Sequence, residues 1–369
     1  MANNRIYYAI QQVELGQSTD RVAVHGLQSV GITTNFNLEQ VFELGQLAIY
    51  QNVENIPDIE VTLNKVLDGY PLLYVLATEA GSAVNTNLVA VSPDLAGRSN
   101  ARVDMRLSIY PDTQTSAKNT SIAAVTCSGM YVSSVSYTFP VDGNFTEDLT
   151  LVGNDKVWGA VVTGSFTGND DEPAALEGVN RRQHLQMTAC RFPTQIPGIN
   201  TSTGINELIG NGSGHAVHFQ NVTVSTDLGR EAINELGTFA PYHRYVTFPV
   251  EVTSEFEVIA VSGDMINATE SGYYTGTQDD YDVATAANTG CDNPRFNLLD
   301  QTIYLETCEG TKIHLGNKNK LTSVNYTGGD TGGGNVTVTY SYSNFNDFVV
   351  AHASGDFYDN VDEDGYTAP

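Results

Sequence analysis

Residues 328–334 read Gly-Gly-Asp-Thr-Gly-Gly-Gly, five glycines in seven positions. A run of this kind either lets backbone N–H groups approach a phosphate or lets two strands turn back on each other. A phosphate loop needs Gly-x-x-x-x-Gly-Lys-Ser/Thr, but Gly333 is followed by Gly334 and Asn335. A dinucleotide fingerprint needs a helix after its glycines. The chain instead continues Val-Thr-Val-Thr-Tyr-Ser-Tyr-Ser, with Val336, Val338, Tyr340 and Tyr342 on one face of a strand and Thr337, Thr339, Ser341 and Ser343 on the other. Leu-Thr-Ser-Val-Asn-Tyr-Thr before the glycines is extended too. The glycines therefore join two strands at a hairpin tip.

The remaining chemistry-bearing residues form no site by spacing. His215 and His218 are three apart in an expected strand and point to opposite faces. The acids of 359–365 resemble the start of a calcium loop, but no distal bidentate glutamate comes after them before Pro369. There is no Gly-x-Ser-x-Gly elbow, and Cys127 has no evident orienting partner. Asp279 and Asp280 lie in a Gly/Tyr-rich loop, which suits solvated carboxylates better than an acid–base pair. The densest basic stretch, 181–186, is short for a nucleic-acid site. The expectation is a chain that is not an enzyme, with no catalytic residue, no cofactor and no metal.

The elements around these residues read as mainly β. Strands are expected in 5–15, near 59–67, and in quick succession from 87 through 165, with Gly, Asn and Asp at the turns. A short buried helix is expected over 70–81, between Pro71 and Gly81. Leu38, Val41 and Phe42 suggest a short helix stopped by Gly45. A strand running into a helix near 226–236, capped by Ser225 or Thr226 and stopped by Gly237, is expected after 221. Residues 242–264, 301–307 and 311–316 read as strands. The expected organisation is an N-terminal β lobe over 1–165, a polar connecting or inserted loop over 166–215, a C-terminal β lobe over 216–350 and an acidic tail over 351–369, with another long polar loop at 265–298. Two echoes fit either a duplicated half or chemistry common to β-hairpins. One links the Thr-Phe-Pro-Val segments that come after Tyr137 and Tyr245, and the other links 133–138 (SSVSYT) with 322–327 (TSVNYT).

Composition narrows the class. The 369 residues carry 43 acidic and 17 basic side chains, a net charge of −26. That charge excludes phosphate-neutralising nucleic-acid binding and suits neither an anionic membrane surface nor a polyanionic partner. The first residues show no apolar leader region and no apolar run approaches a membrane span. The Asn-x-Ser/Thr triplets at Asn119, Asn144, Asn200, Asn211, Asn221, Asn267, Asn325 and Asn335 therefore read as chance in an Asn/Thr-rich chain. Cys127, Cys190, Cys291 and Cys308 form no Cys-x-x-Cys pair and read as free thiols, although Cys291 and Cys308 could pair.

Three segments resemble the major tail tube proteins of tailed bacteriophages: 29–78 (SVGITTNFNLEQVFELGQLAIYQNVENIPDIEVTLNKVLDGYPLLYVLAT), 127–158 (CSGMYVSSVSYTFPVDGNFTEDLTLVGNDKVW) and 315–348 (LGNKNKLTSVNYTGGDTGGGNVTVTYSYSNFNDF). Residues 241–258 fit as well, so the resemblance extends from about residue 25 to 350. It implies a tail-tube-type β-sandwich or barrel with one or two short flanking helices and long loop insertions. It also implies a structural virion protein, made in the host cytoplasm, that stacks as rings into a hollow tube. DNA then passes through the lumen without specific binding. Rings would be homohexameric, or trimeric if the fold is duplicated, and the tube would meet sheath, terminator or baseplate proteins. Expected assembly contacts are the hairpin with Pro140, Asp142, Gly143, Asn144 and Phe145, and the tip with Gly328, Gly329, Asp330, Gly332, Gly333 and Gly334. Lys312, Lys318 and Lys320 are expected to pair with acids on a neighbour or to sit in a solvated turn. The alternatives are a β-sandwich carbohydrate-binding or host-attachment module of a virion, favoured by abundant Tyr and long loops, and a β hydrolase, for which no acid–base pair is found.

Overall fold

The computed structural model describes residues 5–17, 20–78, 95, 101–111, 121–160, 178–196, 198–199, 203–206, 217–238, 240–260, 300–328, 334–352, 361–362 and 365–366. The strand expected at 87–92, the loop 265–298, His215, Asp279, Asp280, Cys291 and most of the acidic tail lie outside them.

The fold is mainly β. In chain order the strands are β1 (Gln11–Gln17), β2 (Asp20–Ala23), β3 (Leu27–Asn35), β4 (Leu38–Phe42), β5 (Ile49–Glu54) and β6 (Asp58–Val66). Helix α1 (Leu73–Thr78) is next, then β7 (Val103–Ile109), β8 (Ala123–Pro140), β9 (Thr146–Gly153) and β10 (Asp155–Ala160). After these come β11 (Phe219–Asp227), β12 (Arg230–Ile233), β13 (His243–Val246) and β14 (Glu251–Ile259). The chain continues with β15 (Tyr304–Glu306), β16 (Lys312–His314), β17 (Lys320–Thr327), β18 (Thr337–Phe345) and β19 (Val349–Ala351). Val361–Asp362 and Gly365–Tyr366 form a last small ladder. No helix among the described residues is long and apolar enough to cross a membrane.

The strand β8 belongs to two sheets. Its first half pairs β7 and β10, and β7 continues through β1 to β2. Its second half pairs β9 on one side and β11 on the other, giving an antiparallel sheet in the order β3-β6-β9-β8-β11-β14-β18-β17. Alternation drives this sheet. Ile59, Val61 and Leu63 of β6, Leu149 and Leu151 of β9, Phe256 and Val258 of β14, and Val338, Tyr340 and Tyr342 of β18 are buried on one face. The last of these sets is the one expected from the alternation after the glycines. The small β15-β16-β19 sheet contributes Leu305, Ile313 and Val350 to the same apolar core.

Helix α1 covers that face, as the 70–81 pattern predicts, and its six residues are all buried. The Glu147 carboxylate of β9 caps it, accepting the N–H of Leu73 (2.7 Å) and of Tyr74 (2.9 Å) together with the Tyr137 hydroxyl (2.8 Å). Burial pushes the Glu147 pKa above the usual carboxylate range, although these donors and the Lys65 charge pull it back.

Two helix expectations are corrected. Residues 38–42 form β4, a hairpin partner of β5, and 226–236 contains the end of β11 and then β12, a hairpin partner of β13. Neither segment buries one helical stripe, which is what would make the helix formers Glu231, Ala232 and Glu235 fold as a helix. Instead Arg230 of β12 reaches back to the sheet, its Nε donating to the Val132 carbonyl (2.7 Å) with the guanidinium 5.2 Å from the Tyr131 ring centre.

A four-strand unit occurs twice. Strands β3, β6, β8 and β9 lie in the order first, second, fourth, third, and so do β11, β14, β17 and β18. Both first strands carry a bulge at the same place, between Leu27 and Ser29 and between Phe219 and Asn221. Both third strands do too, between Val132 and Ser134 and between Leu321 and Ser323. Each unit inserts a hairpin between its first and second strands, β4–β5 in one and β12–β13 in the other. With these ladders in register, 133–138 aligns with 322–327. The other sequence echo does not survive, because Tyr137 is in β8 whereas Tyr245 is in β13.

Candidate functional site

The two inserted hairpins share one tip. Gln46 N–H donates to the Glu43 carbonyl (3.2 Å), and Thr238 N–H to the Glu235 carbonyl (3.5 Å). Gly45 (φ +95°) and Gly237 (φ +91°) take the left-handed position of these turns. A Cβ would have open space at either glycine, so the requirement is conformational rather than steric crowding. The residue before each glycine, Leu44 or Leu236, is fully exposed.

The first hairpin is apolar and uncovered. Every residue of β4 and β5 is exposed, among them Leu38, Val41, Phe42, Ile49, Tyr50 and Val53, with Leu44 and Leu47 in the turn. A lone two-stranded hairpin is marginal in water, and these exposed apolar side chains, spread over both of its faces, make it the candidate interaction surface. The second hairpin is tied down more firmly. Besides Arg230, Arg244 Nη2 donates to Asp58 Oδ1 (2.7 Å) and Asn154 Oδ1 (3.0 Å) at the base of β6. Burial raises the Asp58 pKa, but hydrogen bonds from Asn37 and Arg244 and the Arg244 charge outweigh it and hold it below the usual value.

The solvent face of the eight-stranded sheet is polar from edge to edge. One row across it runs Ser29, Asn64, Asp148, Ser136, Ser225, Thr253 and Ser343. Asn64 donates to Asp148, and the Ser225 and Thr253 hydroxyls are 2.8 Å apart. Neighbouring rows add Glu60, Asp227, Glu251, Glu255 and Glu257. The cation of these rows is Lys320, at the β17 end, and Asp300 pairs with it (2.7 Å). The face is a hydroxyl- and amide-rich surface with negative charge.

The residues expected from sequence fall in several environments. Asp142 and Gly143 are exposed at the β8–β9 turn, with Asp142 3.9 Å from Arg182, and Pro140 is half-buried. Asn144 Oδ1 accepts from Arg181 Nε (3.1 Å). Phe145 is core, packed edge-on against Phe139 with centroids 5.0 Å apart. Gly328 and Gly334 are exposed, while Gly329, Asp330, Gly332 and Gly333 lie outside the described residues. Lys318 is exposed. Within the chain Lys312 lies 3.8 Å from Glu306 and Lys320 2.7 Å from Asp300. Sequence reading missed the two hairpins, although the shared Glu-Leu-Gly (43–45 and 235–237) was visible.

The two buried thiols among the described residues, Cys127 and Cys190, do not favour covalent chemistry. Burial pushes the Cys127 thiol to about 11 and the Cys190 thiol to about 12, which disfavours the nucleophilic thiolate. Cys127, Cys190 and Cys308 form no disulfide. Among the described residues no group of three His, Cys, Asp or Glu side chains could hold a metal.

No family model and no curated protein matches the chain. Among solved structures, it is similar to the PVC sheath-tube complex of an extracellular contractile injection system in the extended state, at 12% identity over 43% of this chain and 94% of that chain, with a TM-score of 0.30. It is also similar to the tube-terminating cap of the anti-feeding prophage, at 14% identity over 43% of this chain and 94% of that one, TM-score 0.30. A third is the PVC sheath/tube terminator in the extended state, at 14% identity over 43% of this chain and 100% of that one, TM-score 0.30.

Proposed function

We propose that the chain is a structural subunit of a virion tail, assembling with copies of itself into stacked rings that form a hollow tube for DNA. The observation that carries this reading is the first hairpin, an uncovered apolar arm that is stable only when another surface buries it. In the tube that surface belongs to the next ring, and the second arm makes the equivalent contact. The polar face of the eight-stranded sheet lines the bore. Its acids repel phosphate and its hydroxyls offer no cationic foothold, so DNA slides through without binding. Two four-strand units per chain make three chains equivalent to six units, the trimeric form of the six-fold ring that the sequence resemblance implies. Sheath, terminator or baseplate proteins are its further partners, and the chain catalyses no reaction.

The test is size-exclusion chromatography and negative-stain microscopy of the concentrated protein. The reading expects rings or filaments about 100 Å wide, from packing a ring of domains of this size. A small discrete oligomer that is retained on immobilised glycan would replace it with the attachment-module reading.

A further inference from the structure

The chain contains its own template for the contact between copies. The third strand of the first unit, β8, hydrogen-bonds the first strand of the second unit, β11. Among the described strands the first strand of the first unit, β3, pairs β6 alone, and the third strand of the second unit, β17, pairs β18 alone. The sheet therefore ends on the same two strands that are joined in its middle.

The geometry points to β17 of one copy adding to β3 of the next, antiparallel, in the register of the β8–β11 junction. This rests on the self-assembly reading above and specifies its contact. Inside the chain Thr223 lies opposite Thr138, Val224 opposite Tyr137, Ser225 opposite Ser136 and Thr226 opposite Val135. The aligned units carry these pairs to Gly31–Thr327, Ile32–Tyr326, Thr33–Asn325 and Thr34–Val324 between copies. The last repeats the internal pair of types, and the second again sets a branched aliphatic chain against tyrosine. No paired position is charged, so the net charge does not oppose the contact there.

Burial says the same. Val135 and Tyr137 are 2% and 0% exposed, whereas their equivalents Val324 and Tyr326 are 36% and 52% exposed. Val222 and Val224 are buried, whereas Val30 and Ile32 are only half-buried. The side-chain types were kept and the cover is missing. The free segments 30–35 and 323–328 also carry no Lys, Pro or bulge to block edge pairing, unlike edges that stay monomeric. Each copy has one of each edge and so takes two neighbours head to tail, which closes as a ring or runs on as a helix.

The experiment is disulfide trapping in the full chain. Thr33→Cys/Asn325→Cys places both thiols on the polar face at directly opposed positions. Thr33→Cys/Ser323→Cys moves one thiol two residues along, to a diagonal Cα spacing of roughly 7–8 Å that does not bridge without backbone movement. Mild oxidation of assembled protein is expected to link the first variant into covalent multimers, and to leave the second and both single-cysteine variants at wild-type level. Hydrogen exchange on the wild-type protein needs no substitution and should show 30–35 and 323–328 gaining protection on assembly. Assembled particles that link the second pair, or that gain no protection at these edges, overturn the register while self-assembly stands. A chain that never assembles overturns both.

Discussion

Tyr137 and Tyr326 occupy one place in two copies of the same four-strand unit, yet the first is sealed in the core and the second is half in water. The difference is the neighbour. Beyond β8 lies β11, and beyond β17 there is no described strand. Glu147 and Val338 make a second contrast. They are the second residues of their strands, opposite Tyr137 and Tyr326 in the hairpin ladders. In the first unit helix α1 arrives there and its bare N–H groups need an acceptor. In the second no helix end among the described residues needs one, and a valine stands at that position. The common unit supplies a sheet, and each copy is then fitted to what covers it.

The largest effect is expected on removing the sealed tyrosine. Tyr137→Ala should cost about 4 kcal/mol in chemical denaturation, the range for deleting a buried aromatic. Tyr326→Ala should change the stability of the unassembled chain by about 0.5 kcal/mol or less while reducing assembly in sedimentation. Equal costs would mean that the two positions do not differ by a missing neighbour.

Glu147→Ala leaves the Leu73 and Tyr74 N–H groups and the Tyr137 hydroxyl without their acceptor, and should cost about 3 kcal/mol. Val338→Ala, a loss of packing alone, should cost about 2 kcal/mol.

The carboxylates predict opposite pH trends. Because the folded pKa of Glu147 lies above its unfolded value, its contribution is present below the unfolded value of about 4.3 and is lost as pH rises through the folded one. Denaturation midpoints of the wild type should therefore fall relative to Glu147→Gln as pH rises from that value. Asp58 is depressed, so its contribution is present above about 3.9 and is lost as pH falls. Its side chain is half exposed, so Asp58→Asn should alter stability by less than about 1 kcal/mol.

The smallest expected effect on folding is at the arms. Leu44→Asn should leave the denaturation midpoint of the unassembled chain within about 0.5 kcal/mol of wild type and still weaken stacking, read as shorter filaments by microscopy. Undiminished filaments would remove the first arm from the interface.

The strands with one buried face were legible because alternation records burial. The sequence Val-Thr-Val-Thr-Tyr-Ser-Tyr-Ser could only be a half-buried strand, and Pro71 and Gly81 bracketed a helix that the fold needs as a lid. The arms were illegible for the same reason. Leu38, Val41 and Phe42 are exposed and face no core among the described residues, so their spacing does not record burial within the chain, and the helix formers of 230–236 filled the gap misleadingly. The duplication showed in 133–138 and 322–327, but only the ladders separated that echo from the coincidence at the two Thr-Phe-Pro-Val segments. The lysines were scarce enough to attract attention, and Glu306 and Asp300 are too near in space and too far from any motif to have been assigned to them.

Electron cryo-microscopy of the concentrated, purified protein shows at once whether copies of this chain complete the sheet edges at β3 and β17 and cover the apolar arm. Closed rings are expected, in which the eight-stranded sheet continues from β17 of one copy to β3 of the next, with the Ser/Thr and carboxylate face turned to the bore. Particles that remain single chains at every concentration and salt, with both edges and the first arm still in water, would contradict that expectation.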